Sequence, residues 1–223
     1  MARRPDPDAA PKLLAAARAA FAHVGVEAAR VEDIAHAAGL SKGAFYLPFT
    51  SKEAAFHQIV TDFFAVMHDV QLQRHEACND LRASIGTASP DDWAWRTPRL
   101  QRWAEVDHTH TVRALNAMWR NRDVLRIILE HAPQLLDRFV DMARDMCSAQ
   151  LREAADHGGL RADLDRDLVS ELIVGIYIQL GRRMLRLDRR PDFESWATTV
   201  DTLMLEGLAP RAQADSSVSR EAL

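Results

Sequence analysis

Residues 31–49 read VEDIAHAAGLSKGAFYLPF, and the spacing of their side chains decides the fold. Ile34, Ala35 and Ala38 recur at helical intervals and face inward, and the two alanines are small enough for a second helix to approach closely. Gly39 permits the left-handed backbone of a tight turn. Leu40 plugs the corner, Ser41 is placed to cap the following helix, and Phe45 and Phe49 anchor that helix to the interior. Lys42, Gly43, Ala44, Tyr46 and Leu47 are left on the outside. Ser41, Lys42 and Tyr46 carry donors for phosphates or base edges, while Gly43, Ala44 and Leu47 allow close approach and apolar contact with thymine methyls. Lys52, just beyond, is expected at a phosphate. A helix-turn-helix with such a face suits the major groove of double-stranded DNA.

Outward from this stretch, glycine and proline are scarce, and the segments between them carry apolar residues at intervals of three and four, the period of an all-α protein. A first helix is expected over about Pro11–His23, closed by Gly25, with Leu13, Leu14, Ala17, Phe21 and Val24 on one face. A long connecting helix starts at Ser51, and the stretch from Ser84 to Pro98 is expected to be a loop. Further helices are expected over 99–119, 122–131, 133–157, 165–187 and 192–208, with Pro133 in a first turn and Gly158 and Gly159 as a stop. Between 172 and 180 almost no polar face remains. A helix apolar all round must be covered all round, and in a chain this short a second copy is the economical cover. The end, Pro210–Leu223, is rich in Ser, Ala and charge and is expected to be disordered.

The chain has 223 residues, 48% of them hydrophobic, and a formal charge of −4, which suits a packed body bearing a small DNA-reading module rather than a basic surface throughout. Cys78 and Cys147 lack the spacing of a disulfide framework or zinc site and suit reduced thiols, while no apolar run is long enough to span a bilayer. A cytoplasmic protein without membrane contact, cofactor or metal is expected. No G-x-S-x-G, H-E-x-x-H, phosphate-binding loop or dinucleotide fingerprint is present, so no catalytic residues are assigned. His75 with Cys78, and His108 with His110, are spaced as metal ligands but have no third ligand nearby, which favours structural roles. His57 and His68 reflect helix periodicity, and Arg3 and Arg4 read as a solvated start rather than a minor-groove arm.

The segments FAHVG, DIAHAAG, SKGAFY and FTSKE, in this order, resemble the DNA-binding domain of the TetR family of transcriptional regulators over about residues 10–64. The resemblance implies a three-helix DNA-binding head, residues 1–50, and a larger C-terminal helical domain, residues 51–209, that holds a small effector and dimerises. It also implies a homodimer on a palindromic operator, acting as a repressor that the effector releases by shifting the long helix. The last two helices would pair with their twofold mates, through Leu172, Ile176, Leu180 and Met184 and through Trp196, Val200 and Leu203. Phe64, Met67, Trp103, Trp119 and Tyr177, with the polar Gln71, His110, Asn116 and Gln179, would line a pocket for a largely apolar ligand carrying a few hydrogen-bonding groups.

Two departures from the family pattern stand out. Ala29 and Arg30 occupy the place of the usual Ser or Thr cap, leaving Arg30 as a phosphate ligand. Pro48 replaces an aromatic or imidazole side chain and is expected to end the recognition helix by about Leu47. The competing reading is an all-α interaction protein that dimerises through residues 165–208 without binding DNA.

Overall fold

In a computed structural model the described residues are 7–156, 161 and 163–208, and among them the chain is helical, with no strand. The order is α1 (Ala9–Ala28), α2 (Val31–Ala37), α3 (Lys42–Phe45), α4 (Lys52–Ile85), α5 (Pro90–Trp95), α6 (Pro98–Arg120), α7 (Arg122–Arg126), a π-helical turn (Ile127–His131), α8 (Pro133–Asp156), α9 (Arg166–Met184) and α10 (Phe193–Leu208). The expected all-α class holds. Arg3, Arg4, Gly158, Gly159 and the stretch 210–223 lie outside the described residues.

Gly25 leaves helical geometry at φ 78° and ψ 167°, as its place after Phe21 predicts, but the helical hydrogen bonding resumes beyond it and carries α1 to Ala28. The stretch 84–98, expected as a loop, contains α5. Its start is a capping box: the Ser89 hydroxyl accepts from the Asp92 amide, the Asp92 carboxylate accepts from the Ser89 amide, and Pro90 fills the first turn. That carboxylate also accepts from the Thr97 hydroxyl and sits low, at about 2, chiefly because of this bond and then those from Ser89.

By packing, the chain falls into two compact units that are not contiguous in sequence and do not divide at residue 50. Unit 1 takes the described residues of Met1–Asp69, Ala117–Asp141 and Ile178–Arg190, and unit 2 those of Val70–Asn116, Met142–Tyr177 and Pro191–Leu223.

In unit 1, Leu13, Phe21, Ile34, Phe45 and Phe63 are fully buried. Phe21 meets Phe56 edge to face at 6.0 Å, and Phe64 stacks on Phe139 at 5.5 Å. The Arg18 guanidinium grips Asp123 with two bonds of 2.7 and 2.6 Å and reaches Asn121 at 3.1 Å, which ties α1 to α7. In unit 2 the helices are joined by polar bonds as much as by apolar packing. Arg74 binds Asp107 at 2.7 Å, Arg82 binds Glu153 at 2.7 Å, and the Ser148 and Ser170 hydroxyls meet at 3.0 Å.

Candidate nucleic-acid interface

The turn between α2 and α3 is built as its residues dictate. Gly39 takes φ 70°, and the Ser41 hydroxyl accepts from the Ala44 amide at 3.2 Å. Arg30 precedes α2 in an extended conformation, and no side chain caps that helix. Pro48 has the expected effect and α3 stops earlier still, at Phe45, with Tyr46–Pro48 forming a turn. Phe45 and Phe49, 5.7 Å apart, are buried beneath this turn as a rigid base.

Above that base Ser41, Lys42 and Gly43 are exposed, Ala44 is half-buried, and Tyr46 and Leu47 expose 47% and 71% of their surface. A Cβ added at Gly43 would meet nothing nearer than the Ser41 hydroxyl at 3.9 Å, so no packing within the chain requires glycine there. A solvent-facing helical glycine costs up to about 1 kcal/mol relative to alanine, and close approach of another molecule is the physical reason to keep it.

Two cations are placed in ways the sequence did not indicate. The Lys42 ammonium pairs with Glu32 of α2 at 2.5 Å, which holds the Glu32 carboxyl below and the Lys42 ammonium above their ordinary values. Lys52, expected at a phosphate, donates from its ammonium to the carbonyls of Glu27 and Ala29 at 2.6 and 3.1 Å. The last turn of α1 carries no basic residue, so Lys52 satisfies its free carbonyls and fixes the approach to α2. That α1 ends without a cation of its own was the available signal.

The expected pocket residues are divided between the units. Phe64, Met67, Trp119 and Gln179 belong to unit 1, and Gln71, Trp103, His110, Asn116 and Tyr177 to unit 2. Gln179 is exposed and does not converge with the others, because it lies on the outer side of α9. Arg122 covers the Trp119 ring at 4.6 Å, the Trp103 indole donates to the Gly86 carbonyl, and the Asn116 amide donates to Val112 of its own helix. His110 is buried.

Of the expected dimer residues, Leu172 and Leu203 are 60% and 64% exposed, and Ile176, Leu180 and Trp196 are half-buried. Met184 and Val200 are corrections: both are buried within the chain, so they serve as core and offer no surface to a second copy. The two histidines of 108–110 part company. His108 lies between two carboxylates, Asp201 at 2.8 Å and Glu194 at 2.9 Å, and no potential metal-binding group of side chains occurs among the described residues.

Comparison with known proteins agrees with this geometry. Residues 13–59 match the family model of bacterial regulatory proteins, tetR family. The chain is 26% identical over 200 residues to the HTH-type transcriptional regulator YdgC of Bacillus subtilis (strain 168), covering 90% of this chain and 92% of that protein. It is also 26% identical over 172 residues to the HTH-type transcriptional repressor Rv1474c of Mycobacterium tuberculosis, covering 69% and 88% of the two chains. The crystal structure of the transcriptional regulator FadR from Bacillus subtilis in complex with stearoyl-CoA shares the fold, with TM-score 0.59 and 16% identity over 88% of this chain and 98% of that one. With its helix-turn-helix, its all-α architecture and these relatives, the chain belongs to the TetR family and is a DNA-binding, non-enzymatic transcriptional regulator.

Proposed function

We propose that the protein is a cytoplasmic homodimeric repressor that occludes a palindromic operator and is released by a small effector. The observation that carries this reading is the face formed by Ser41, Lys42, Gly43, Ala44, Tyr46 and Leu47, exposed over the buried Phe45 and Phe49. The head, residues 1–50, reads the bases, with Arg30 as a phosphate ligand beside the uncapped start of α2 and Lys52 positioning that start. Residues 51–209 bind the effector and the second copy.

Dimerisation has physical support in the exposed Leu172 and Leu203, and in Gly175, where an added Cβ would meet nothing within 4 Å. Repression is supported by the name of the Mycobacterium tuberculosis relative. Effector control is supported by the stearoyl-CoA held by FadR, a protein of the same fold. Half-sites on one face of DNA lie about 34–36 Å apart, so an effector that changes the spacing of two heads by a few ångströms breaks register. Such coupling is reciprocal, and operator DNA must weaken the effector's binding by the same factor.

A gel-shift with DNA flanking the protein's own gene tests the reading. Salt-sensitive, sequence-selective retardation is expected. Absence of any shift at low salt would instead favour an interaction protein.

A further inference from the structure

Polar side chains from four helices meet inside unit 2. Gln71, Arg74 and Cys78 share one face of α4, and Asp107, His110 and Thr111 share one face of α6, by their spacing of three and four residues. Arg74 donates to Asp107 through Nε and Nη2 at 3.0 and 2.7 Å and to Gln150 of α8 through Nη1 at 3.1 Å. Gln150 donates in turn to Gln71 at 3.4 Å, and Tyr177 of α9 hydrogen-bonds Thr111. Protein interiors are close-packed as a rule, yet Gln71, Arg74, Cys78, Cys147 and Tyr177 are all only half-buried at these bonds between helices. Solvent, or a ligand, therefore reaches this centre.

The centre carries no free charge. Arg74 is neutralised by Asp107. Burial, with the positive charges of Arg113 and Arg74, lowers the His110 pKa and keeps its ring neutral. Burial likewise raises the Cys78, Cys147 and Tyr177 pKa values, so all three keep their protons at neutral pH. Three buried side-chain nitrogens lack a partner among the described residues: Arg82 Nε, Trp93 Nε1 and His110 Nδ1. Arg82 belongs to a guanidinium already held by Glu153 and Asn79. Only His110, 4% exposed, shares a helix face with the Arg74 and Asp107 pair.

We propose that the effector is an uncharged amphiphile whose single hydroxyl or carbonyl group pairs with His110 Nδ1 while its apolar body lies against Cys147 and Ile173. This rests on the reading of unit 2 as effector-binding. Cys147 and Ile173 pack on the buried Leu151 and Val169 and supply the apolar wall. An anionic head would lie one helical turn from Asp107 and would have to displace it from Arg74. A cationic head would meet Arg74 and Arg113 with no free carboxylate. A neutral head satisfies the orphaned imidazole nitrogen and leaves the ion pair intact.

The test uses the full chain and three probes matched in length, namely 1-decanol, decanoate and decylammonium, followed by calorimetry at pH 7.5 and by gel-shift on the operator. Decanol is expected to bind at least about ten-fold more tightly than either ion, and His110→Leu to remove that advantage. In the unaltered protein the His110 imidazole resonances should move on adding decanol, a readout independent of whether the variant folds. Equal or tighter binding of an ion, no binding of decanol, or unmoved His110 resonances would overturn the proposal. If decanol binds as expected and DNA stays bound, the head-group assignment stands and release by effector falls. If decanoate alone releases DNA, the assignment falls and the regulatory reading stands.

Discussion

At the residue scale the DNA-reading face is held back by its own chain. Lys42 is the cation best placed on α3, and Glu32 neutralises it. Removing the carboxylate should free the ammonium for a phosphate: Glu32→Gln is expected to raise DNA affinity a few-fold at low salt and to steepen the dependence of log K on log salt by about 0.9. Unchanged affinity and slope, measured by fluorescence anisotropy across a salt series, would show that Lys42 never meets DNA. Gly43 gives the opposite pairing of effects. Gly43→Ala should leave thermal stability unchanged or raise it by up to about 1 kcal/mol, since nothing crowds the position, while weakening operator binding ten-fold or more. Inward and outward positions were legible here because helix periodicity sorts Ile34, Ala35 and Phe45 from Lys42, Tyr46 and Leu47. The partners of Lys42 and Lys52 were not, because a long flexible cation chooses among groups brought near only by the tertiary fold.

At the element scale, Pro48 and the missing cap of α2 made the recognition helix short, and both effects follow from local backbone chemistry that a sequence states openly. The capping box of α5 was equally local, in the order Ser89, Pro90, Asp92, but the glycine, prolines and tryptophans around it masked it. Ties between elements need coordinates. The Arg18 and Asp123 pair joins α1 to α7, and each side chain is about a third exposed, at 30% and 35%. A double-mutant cycle on Arg18 and Asp123 should therefore give a coupling of about 1 kcal/mol, well short of a fully buried pair. A coupling near zero in denaturant melts would remove the strut.

His108 joins α6 to α10. With a carboxylate on each ring nitrogen, only the doubly protonated imidazolium donates to both, and its pKa is raised above 6.5, first by Glu194 and also by Asp201. A raised histidine pKa stabilises the fold fully below the unfolded value of 6.5, and this contribution is lost as pH rises through the higher folded value. The Tm difference between the protein and His108→Gln should be larger at pH 6 than at pH 9. An equal difference at both would contradict the bridge.

At the scale of the whole molecule, the all-α class was legible from periodicity alone, while the two packing units were not, since each gathers three separate stretches of chain. The apolar run over 172–180 pointed to a second copy. Leu172 and Leu203 remain uncovered in a single chain, whereas Met184 and Val200, equally apolar in sequence, turn inward. Hydrophobicity marks a residue for burial without saying which surface buries it. A twofold dimer bearing one reading face per copy imposes its symmetry on the DNA it selects. The most direct measurement is selection of bound DNA from a random pool by the full chain. The account predicts a palindromic consensus, with half-sites about one helical turn apart or a multiple of it. A consensus without twofold symmetry, or no enrichment at all, would contradict it.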